Sequence, residues 1–581
     1  MSGAPAPGEG QAAGWTPAME NESLSRYLLI VCGAVSGALV IWRLTTGLVR
    51  YIRTVTSLTN STQRFYVRPS TKSSWIKRNI LYSPLFRKRH NREFQLSSAI
   101  NVGTLPTRFQ FLFLLGYLAT NVAFCVINIP WAATYVDACR QLRNRSGTLA
   151  TVNMIPLFIM AGRNNPLIGL LGMSFDTFNL LHRWFGRIVV LEAVCHTFAY
   201  WAGSAATNGW AAALKNSVTR PFLMWGFIGT CAFVAIFFQA ASIARHAYYE
   251  FFKLFHIALA ALAIAGLWYH LDLGEIEAIK WLIPVIPIWV ADRFLRMVRV
   301  FYHNIGRGGT RTLVEALPGN AVRLTVTMAR PWTFRPGQHA YLYMPAISFW
   351  QSHPFSVAWS EEAEDFTADK LAMNRQDVLA MRKTSMSFII RARTGMTNTL
   401  YQRAAASPDG RLLTTCFVEG PYGGDHMMHS YGTVMLFAGG VGVTHAVPHV
   451  RDLVAGFANG TVATRKVVLV WILQSPEHLE WIRPWMTEIL AMDKRRDVLR
   501  IMLFVSRPRS TKEIHSPSST VQMFPGRPQI EHLIASEAEH QVGTMGVTVC
   551  GPGALSDEVR QAVRQNQYGS SIDFIEEAFS W

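Results

Sequence analysis

Apolar residues in the first half of the chain form runs of about 20, the length at which a helix crosses a bilayer. We predict seven spans from these runs, at residues 27–49, 109–130, 149–171, 183–203, 221–241, 251–271 and 278–300. The third run contains Arg163 and the seventh contains Asp292, so these two are the least apolar. The pattern therefore predicts a membrane all-α helical bundle with about seven spans.

The pattern changes after residue 300, where apolar runs become short or alternate with polar residues between Gly and Pro. Examples are "AVRLTVTM", "SFIIRAR", "VVLVWIL" and "GVTVCG". Such runs are typical of strands, and their order predicts a β-rich part followed by an α/β part. Two polar stretches, at about 360–385 and 508–530, are predicted to be loop insertions.

The composition fits a membrane protein, since 50% of the 581 residues are hydrophobic and only 16% are charged. The net charge of +18 is unevenly spread: residues 50–92 hold eleven Lys and Arg and no acidic residue. A basic block between two apolar runs is typical of a cytoplasmic loop, by the positive-inside rule. We therefore predict no nucleic-acid partner and assign the charge to membrane topology.

This loop assignment places the N-terminus outside and everything after residue 300 in the cytosol. The first 26 residues are then an exterior tail, and the sequons at Asn21 and Asn144 face outward, where glycosylation occurs. The basic n-region of a signal peptide is missing before the first apolar run, which is predicted to remain as an anchor. We expect the plasma membrane, with a vacuolar membrane as the alternative.

Two of the predicted spans each carry a pair of histidines 14 residues apart: His182 and His196, then His256 and His270. Fourteen residues turn a helix to within about 40° of four full turns and rise about 21 Å. A single histidine in such a helix is usually a hydrogen-bonded core residue. Four with the same spacing predict two bis-histidine haems, an inner one on His182 and His256 and an outer one on His196 and His270. Iron ligated by two imidazoles favours electron transfer over oxygen binding.

The α/β part contains a glycine-rich turn, "AGGVGVT", between a predicted strand and a predicted helix. Glycines in such a turn let the backbone approach a pyrophosphate, which the helix N-terminus attracts. Later strands end in Ser506 and Arg507, suited to a 2′-phosphate, and in Cys550 and Gly551. The sequence thus predicts a dinucleotide site, although the glycine turn alone is also compatible with a plain strand-to-helix connection.

From the second span to the last residue, the chain resembles the ferric reductase branch of the family that also contains the NADPH oxidases. The resemblance rests on motifs in the expected order: "GRNNPL", "HRWFGR", the histidine pairs, "RPGQH", "HPFS", "GPYG", "AGGVGVT", "CGP" and the terminal "EEAFSW". It implies a fungal-type ferric-chelate reductase. Its cytosolic module would be like ferredoxin-NADP reductase, with an antiparallel β-barrel for FAD and an α/β nucleotide-binding domain for NADPH.

The resemblance also implies domain boundaries and roles for particular residues. We expect a transmembrane di-haem domain at 27–300, an FAD domain at 308–425 and an NADPH domain at 430–581. Implied FAD residues are His353, Pro354, Phe355, Ser356, Gly395 and Thr397, with Phe579 or Trp581 over the flavin ring. Implied NADPH residues are Gly439, Gly440, Gly442, Thr444, Ser506, Arg507, Cys550 and Gly551, with Cys550 near the nicotinamide. One departure is Gln474, where relatives often carry an arginine.

The expected activity is electron transfer from NADPH through FAD and two haems b to ferric or cupric chelates across the membrane. Two alternatives stay open: an NADPH oxidase that reduces oxygen to superoxide, and a haem-containing membrane scaffold without catalysis. NADPH oxidases typically lack the extra first span. Expected partners are membrane lipid, the metal chelate and iron-uptake proteins such as a ferroxidase or a permease.

Overall fold

The computed structural model describes residues 16–577 except 93, 96–100, 133, 248, 307–308, 350, 365–381, 425 and 509–513. It divides into two compact units. One is helical and comprises the chain up to Ile41 together with Phe113–Asp292. The other comprises Trp42–Leu112 and the chain from Arg293 onward. Phe579 and Trp581 lie outside the described residues.

Helices make up most of the first 304 residues. In chain order they are α1 (Pro17–Ser57), α2 (Thr71–Ile76), α3 (Arg108–Val126), α4 (Tyr135–Ala161), α5 (Pro166–Leu171), α6 (Phe175–Asn208), α7 (Trp210–Thr219), α8 (Pro221–Gln239), α9 (Ser242–Ala247), α10 (Tyr249–Leu273), α11 (Ile279–Leu282) and α12 (Val285–Asn304). Among the described residues, five are long and apolar enough to cross a membrane, namely α1, α3, α6, α8 and α10. They coincide with the first, second, fourth, fifth and sixth predicted spans, and the bundle prediction is confirmed to that extent.

The third and seventh predicted spans fall on α4 and α12, which are helical but more polar. Helix α4 packs along α6 with much of its length buried, so its side chains meet protein instead of lipid. Its Asn153 donates to Asn121 at 2.7 Å and to Glu192 at 2.9 Å, which satisfies polar groups inside the bundle. Helix α12 carries Asp292, whose Oδ1 accepts from the amide of Asn164 at 3.0 Å. The internal contacts of α4, which hydropathy does not register, account for the lower apolarity of that helix.

The first β-rich region contains two antiparallel sheets. Its elements, after the short strands β1 (Phe94–Gln95) and β2 (Asn101–Gly103), are β3 (Arg311–Leu317), β4 (Ala321–Thr327), β5 (Gln338–Tyr343), β6 (Ser352–Ser356), β7 (Trp359–Glu364), β8 (Arg382–Arg391), α13 (Met396–Ala405), β9 (Arg411–Thr414) and β10 (Phe417–Gly423). The strand orders are β7-β8-β4-β3-β9 and β10-β5-β6. Inward side chains such as Leu324, Leu342 and Phe388 form a shared buried core, as expected for the predicted barrel.

The last region is a six-stranded parallel sheet with helices on both faces. Its elements are β11 (Thr433–Gly439), α14 (Val443–Asn459), β12 (Lys466–Leu473), α15 (Arg483–Ala491), α16 (Arg495–Val498), β13 (Leu499–Val505), β14 (Val521–Pro525), α17 (Ile530–Glu539), β15 (Met545–Cys550), α18 (Gly553–Gln565) and β16 (Ile572–Glu577). The strand order is β14-β13-β12-β11-β15-β16. Successive strands from β11 to β14 are added on one side of β11, and β15 and β16 are added on the other side, so the strand order reverses between β11 and β15. Ligands bind in open α/β sheets at such a switch point.

Strand β14 corrects the prediction of a loop over 508–530. Residues Ile501–Val505 of β13 pair in parallel with Val521–Pro525 at this edge of the sheet. The five-residue sequence "VQMFP" is short and ends in proline, which sheets tolerate on an edge strand. Pairing with a neighbour, instead of a strong pattern of its own, makes this segment a strand.

Candidate functional site

The four predicted histidines form two pairs between α6 and α10. The ring centroids of His182 and His256 are 6.3 Å apart, and those of His196 and His270 are 6.0 Å apart. A metal held by two imidazole nitrogens at about 2.0 Å each would place the centroids on the order of 6 Å apart. The equal 14-residue spacing on both helices thus brings one imidazole of α6 next to one of α10 at two depths, with the ring planes inclined by 63° and 82°.

The Nδ1 atom of each imidazole lies at a polar group of a neighbouring helix. His196 Nδ1 is 2.7 Å from the carbonyl of Arg143, and His182 Nδ1 is 3.1 Å from that of Leu157, both on α4. His270 Nδ1 is 2.9 Å from the carbonyl of Phe222. His256 Nδ1 is 3.4 Å from Gln239 Oε1. Because carbonyl oxygens only accept, Nδ1 carries the proton and Nε2 keeps the lone pair that a metal needs.

Two glycines allow the helices to approach these rings closely. A Cβ atom on Gly147 would lie 2.5 Å from Nδ1 of His196, and one on Gly226 would lie 2.6 Å from Nδ1 of His270. Any larger residue would push the imidazole away from its carbonyl partner. Glycine at these two positions is a feature of the site that the sequence reasoning missed.

A cavity of about 280 Å³ adjoins the His196 and His270 pair. Its lining is mostly apolar and includes Met154, Phe233 and Leu267, with Arg143 and Tyr200 among its polar members. An apolar cavity between two ligand-ready imidazoles suits a planar hydrophobic metal macrocycle. The donor set, the ring separation and the proton placement all fit a bis-histidine haem.

A second site is a cleft of about 590 Å³ at the carboxyl ends of the parallel strands. The cleft brings together most of the residues predicted for FAD and NADPH: Pro354, Phe355, Ser356, Thr397, Gly439, Gly440, Gly442, Thr444, Ser506, Cys550 and Gly551. These residues come from β6, α13 and three strand ends of the α/β sheet, which are distant in sequence. The predicted FAD and NADPH sequences therefore meet in one cleft.

Three predicted residues do not line this cleft among the described residues. His353 lies on β6, paired across the sheet with Leu342. Gly395 precedes α13 with a positive φ of 60°, a conformation that favours glycine. Arg507 is exposed just after β13, and its amide donates to the carbonyl of Gln474.

The glycine-rich turn lies against the end of the neighbouring strand β15. A Cβ atom on Gly442 would overlap the carbonyl of Cys550, and one on Gly551 would lie 3.0 Å from the Cα of Gly439. The carbonyl of Gly440 accepts from Trp471 Nε1 at 3.0 Å. Backbone packing this close leaves amide groups at the opening of the cleft, where a phosphate could accept from them.

The cleft also contains cations that the sequence reasoning missed. Arg391, Arg393 and Arg527 line it. Arg391 donates to Gln474 Oε1 at 3.4 Å, so strand β8 supplies a guanidinium beside Gln474. The charge at this point of the cleft comes from a different strand, which no local motif reveals.

Cys550 is a buried thiol and not a thiolate. Burial raises the pKa of Cys550 to about 12, and the carboxylate of Glu577 adds to the effect. Its sulfur therefore stays neutral and serves as a compact wall of the cleft, since the thiolate is the nucleophilic form.

Three segments of the chain match known protein families. Residues 146–267 match the ferric reductase like transmembrane component, residues 308–375 an FAD-binding domain and residues 431–564 the ferric reductase NAD binding domain. The first of these segments contains all of the paired histidines except His270, which lies three residues beyond its end.

Alignments with curated relatives cover most of the chain. Ferric/cupric reductase transmembrane component 2 of Saccharomyces cerevisiae is 26% identical over 542 residues, 87% of this chain and 71% of the relative. Ferric/cupric reductase transmembrane component 1 of Candida albicans is 25% identical over 552 residues, 88% and 67% of the two chains. Among solved structures, a ferredoxin reductase in carbazole 1,9a-dioxygenase aligns over 46% of this chain and 68% of its own, at 15% identity and a TM-score of 0.30.

Proposed function

We propose that this chain, which carries the transmembrane, FAD-binding and NAD-binding domains of ferric reductases, passes electrons from cytosolic NADPH to ferric or cupric chelates across a membrane. The proposal is carried by the two pairs of histidines. In each imidazole, Nδ1 lies at a carbonyl or amide oxygen and Nε2 is left to bind a metal. Together with a nucleotide cleft in the same chain, they supply both ends of an electron path. The named activities of the relatives in yeast agree with it.

The histidines would hold two haems b, His182 with His256 and His196 with His270. When bound, the nicotinamide supplies a hydride, FAD releases its electrons singly, and the two haems relay single electrons. The chain's own contribution is orientation: carbonyls of α4 and α8 fix the tautomer of three imidazoles, and Gln239 faces the fourth. If two imidazoles hold each iron in this way, the haems would favour electron transfer over oxygen binding.

We assign a task to each predicted residue, most of which line the cleft. Backbone amides of Gly439–Gly442 would cradle the pyrophosphate of NADPH, with Thr444 at the start of α14. Ser506 and Arg507 would hold the 2′-phosphate, aided by Arg391 or Arg527. His353 to Ser356, Gly395 and Thr397 would surround FAD. Cys550 and Gly551 would stand near the nicotinamide.

The acceptor enters as a chelate instead of a bare ion. Among the described residues, no group of three or more His, Cys, Asp or Glu could hold a metal ion. A site without such a cluster suits a metal that arrives with its own ligands. We propose the plasma membrane, or a vacuolar membrane, with the N-terminal tail outside, the 308–425 and 430–581 domains in the cytosol, and a ferroxidase or permease as the next protein in iron uptake.

A vesicle experiment tests the proposal. Sealed vesicles that contain the protein, with its C-terminal domains inside, are loaded with NADPH and given an Fe(III) chelate and a membrane-impermeant Fe(II) trap outside. The rate of Fe(II) formation should be unchanged without oxygen or with superoxide dismutase. If Fe(II) forms only with oxygen and dismutase abolishes it, electrons go to oxygen and the NADPH oxidase alternative is correct. Vesicles without NADPH are the control.

A further inference from the structure

Arg143 occupies a distinctive position at the outer histidine pair. Its carbonyl accepts from Nδ1 of His196 at 2.7 Å, and its side chain lines the same cavity as His196, His270 and Tyr200. Tyr200 lies one helical turn beyond His196 on α6. The guanidinium of Arg143 therefore borders the cavity at the level where electrons would leave the protein.

This guanidinium has no carboxylate partner among the described residues. Its Nε and Nη2 donate to the side-chain oxygen of the adjacent Asn144, at 3.0 and 2.9 Å. The charged group that acts on it is Arg140, a like charge that is itself paired with Asp137. The nearby Arg145 shows the contrast, because its guanidinium is buried and paired with Glu20 at 3.3 Å. Within the part of the chain that the structure describes, Arg143 is therefore a cation without a counter-ion beside the outer cavity.

An unpaired guanidinium in that position can bind an anion that enters the cavity. Guanidinium binds carboxylate through two parallel hydrogen bonds, and the half-buried setting strengthens such a contact over one in bulk water. Carboxylates are also the ligands of common anionic ferric chelates. Arg143 is the one Lys, Arg, Asp or Glu among the described residues that line the cavity, so discrimination among chelates by charge falls to this side chain.

We propose that Arg143 recognises the acceptor and selects metal chelates with free carboxylates, of the citrate type, over neutral or cationic chelates. The inference rests on the proposed function and adds the substrate class. A haem carboxylate would use the same chemistry, and the experiment separates the two sources.

The test compares Arg143→Gln and Arg143→Lys with the rim control Arg140→Gln in the full-length haem-loaded protein. Binding of Ga(III) citrate, a redox-inert analogue, is measured on the purified proteins, and KM is measured for ferric citrate and for a neutral ferric trihydroxamate. Arg143→Gln should weaken Ga(III) citrate binding and raise KM for ferric citrate by roughly five- to tenfold. It should leave KM for the trihydroxamate, the haem content and the haem midpoint potentials unchanged. Arg143→Lys should restore part of the binding, and Arg140→Gln should match the wild type.

Two results would overturn the inference. If Arg143→Gln lowers outer haem content or shifts its midpoint potential and slows all chelates alike, Arg143 serves a haem carboxylate. If both chelates lose affinity equally, Arg143 does not select charge. Failure of the proposed function looks different, since the wild type would then bind Ga(III) citrate in an Arg143-dependent way but reduce neither ferric chelate.

Discussion

The ammonium group of Lys77 lies 2.6 Å from the carboxylate of Asp573, which joins the segment after the first helix to the last strand of the α/β sheet. Arg53 adds a second cation, 3.8 Å from the same carboxylate. Burial by itself would raise the pKa of Asp573, but these cations outweigh it and bring the pKa down to about 2. The carboxylate of Asp573 therefore remains ionised at any physiological pH.

Removing Lys77 should destabilise the α/β domain. Lys77→Ala leaves the buried carboxylate with the Tyr431 hydroxyl, which donates to it at 2.9 Å, and with the more distant Arg53. We expect a loss of about 1–3 kcal/mol, less than for a buried pair with no second cation. The measurement is the temperature at which purified protein releases its flavin, followed by fluorescence. Lys72→Ala is the matched control, because Lys72 is an exposed lysine of the same segment. Equal release temperatures for Lys77→Ala and wild type would show that the pair contributes nothing.

This contact also shows what sequence patterns leave out. The eleven cations of residues 50–92 predict a loop beside the membrane, and charge alone can say no more. The partner of Lys77 lies 496 positions later in the chain. Backbone amides of His90, Asn91 and Arg92 likewise donate to the carboxylate of Asp557. Folding brings these groups together, and no periodicity marks the pairing.

Gly147→Ala should remove the outer haem although the substitution leaves all four histidines in place. The added methyl group would lie 2.5 Å from Nδ1 of His196 and displace the ring from the carbonyl of Arg143. We expect haem per chain to fall from about two towards one, measured by pyridine haemochrome against protein, and the same loss in His196→Leu. NADPH-to-dye reduction by the cytosolic domains should survive in both.

Gly116→Ala is the control for this prediction. Gly116 lies on α3, where a methyl group would meet nothing within 4 Å, so its haem content should equal that of the wild type. Two haems per chain in Gly147→Ala would mean that His196 does not need its present position. Two haems in His196→Leu would remove it from the ligand set altogether.

The histidine pairs were predictable because a helix fixes the direction of residues 14 apart, whatever surrounds it. The cation near Gln474 was not, because Arg391 reaches it from strand β8, more than 80 residues earlier in the chain. For helix α4, the sequence predicts the helix itself but not that its polar side chains are buried against α6. Local geometry transfers from sequence, and contacts between distant strands do not.

Buried histidines in the α/β domain should make stability fall at acid pH. His445 and His449 are ring neighbours on α14, with centroids 5.0 Å apart. Burial, assisted by His426, lowers the pKa of His445 to about 4, and burial also lowers that of His426 to about 4. Because the unfolded residues have a pKa of about 6.5, the folded state binds fewer protons below that value. Stability is then complete above about pH 6.5 and is lost progressively as the pH falls towards 4.

His445→Gln should reduce this loss. Because the pKa of His445 is lowered to about 4, the linkage predicts a loss of about 2 kcal/mol between pH 7 and pH 5, which the variant would not show. The measurement is the flavin-release temperature from pH 7.5 to pH 5 in full-length protein. His429 acts in the opposite sense, since its hydrogen bond to Asp452 raises its pKa and stabilises the fold at lower pH. His429→Gln should therefore steepen the acid loss, and parallel curves for His445→Gln and wild type would refute the assignment.

Arg507 should decide the preference for NADPH over NADH. It is exposed just after β13 and follows Ser506, which lines the cleft, so its guanidinium can reach a phosphate bound there. Arg507→Ala should raise KM for NADPH by roughly ten- to a hundredfold, as expected for the loss of one charged contact, and leave KM for NADH nearly unchanged. Steady-state dye reduction with both nucleotides measures this, and Arg483→Ala, an exposed arginine paired with Glu480, is the control. Arg527→Ala gives the decisive comparison, because Arg527 lines the cleft. If Arg527→Ala raises KM for NADPH alone and Arg507→Ala does not, the 2′-phosphate is bound by Arg527. If Arg507→Ala raises KM equally for both nucleotides, Arg507 binds the pyrophosphate that they share.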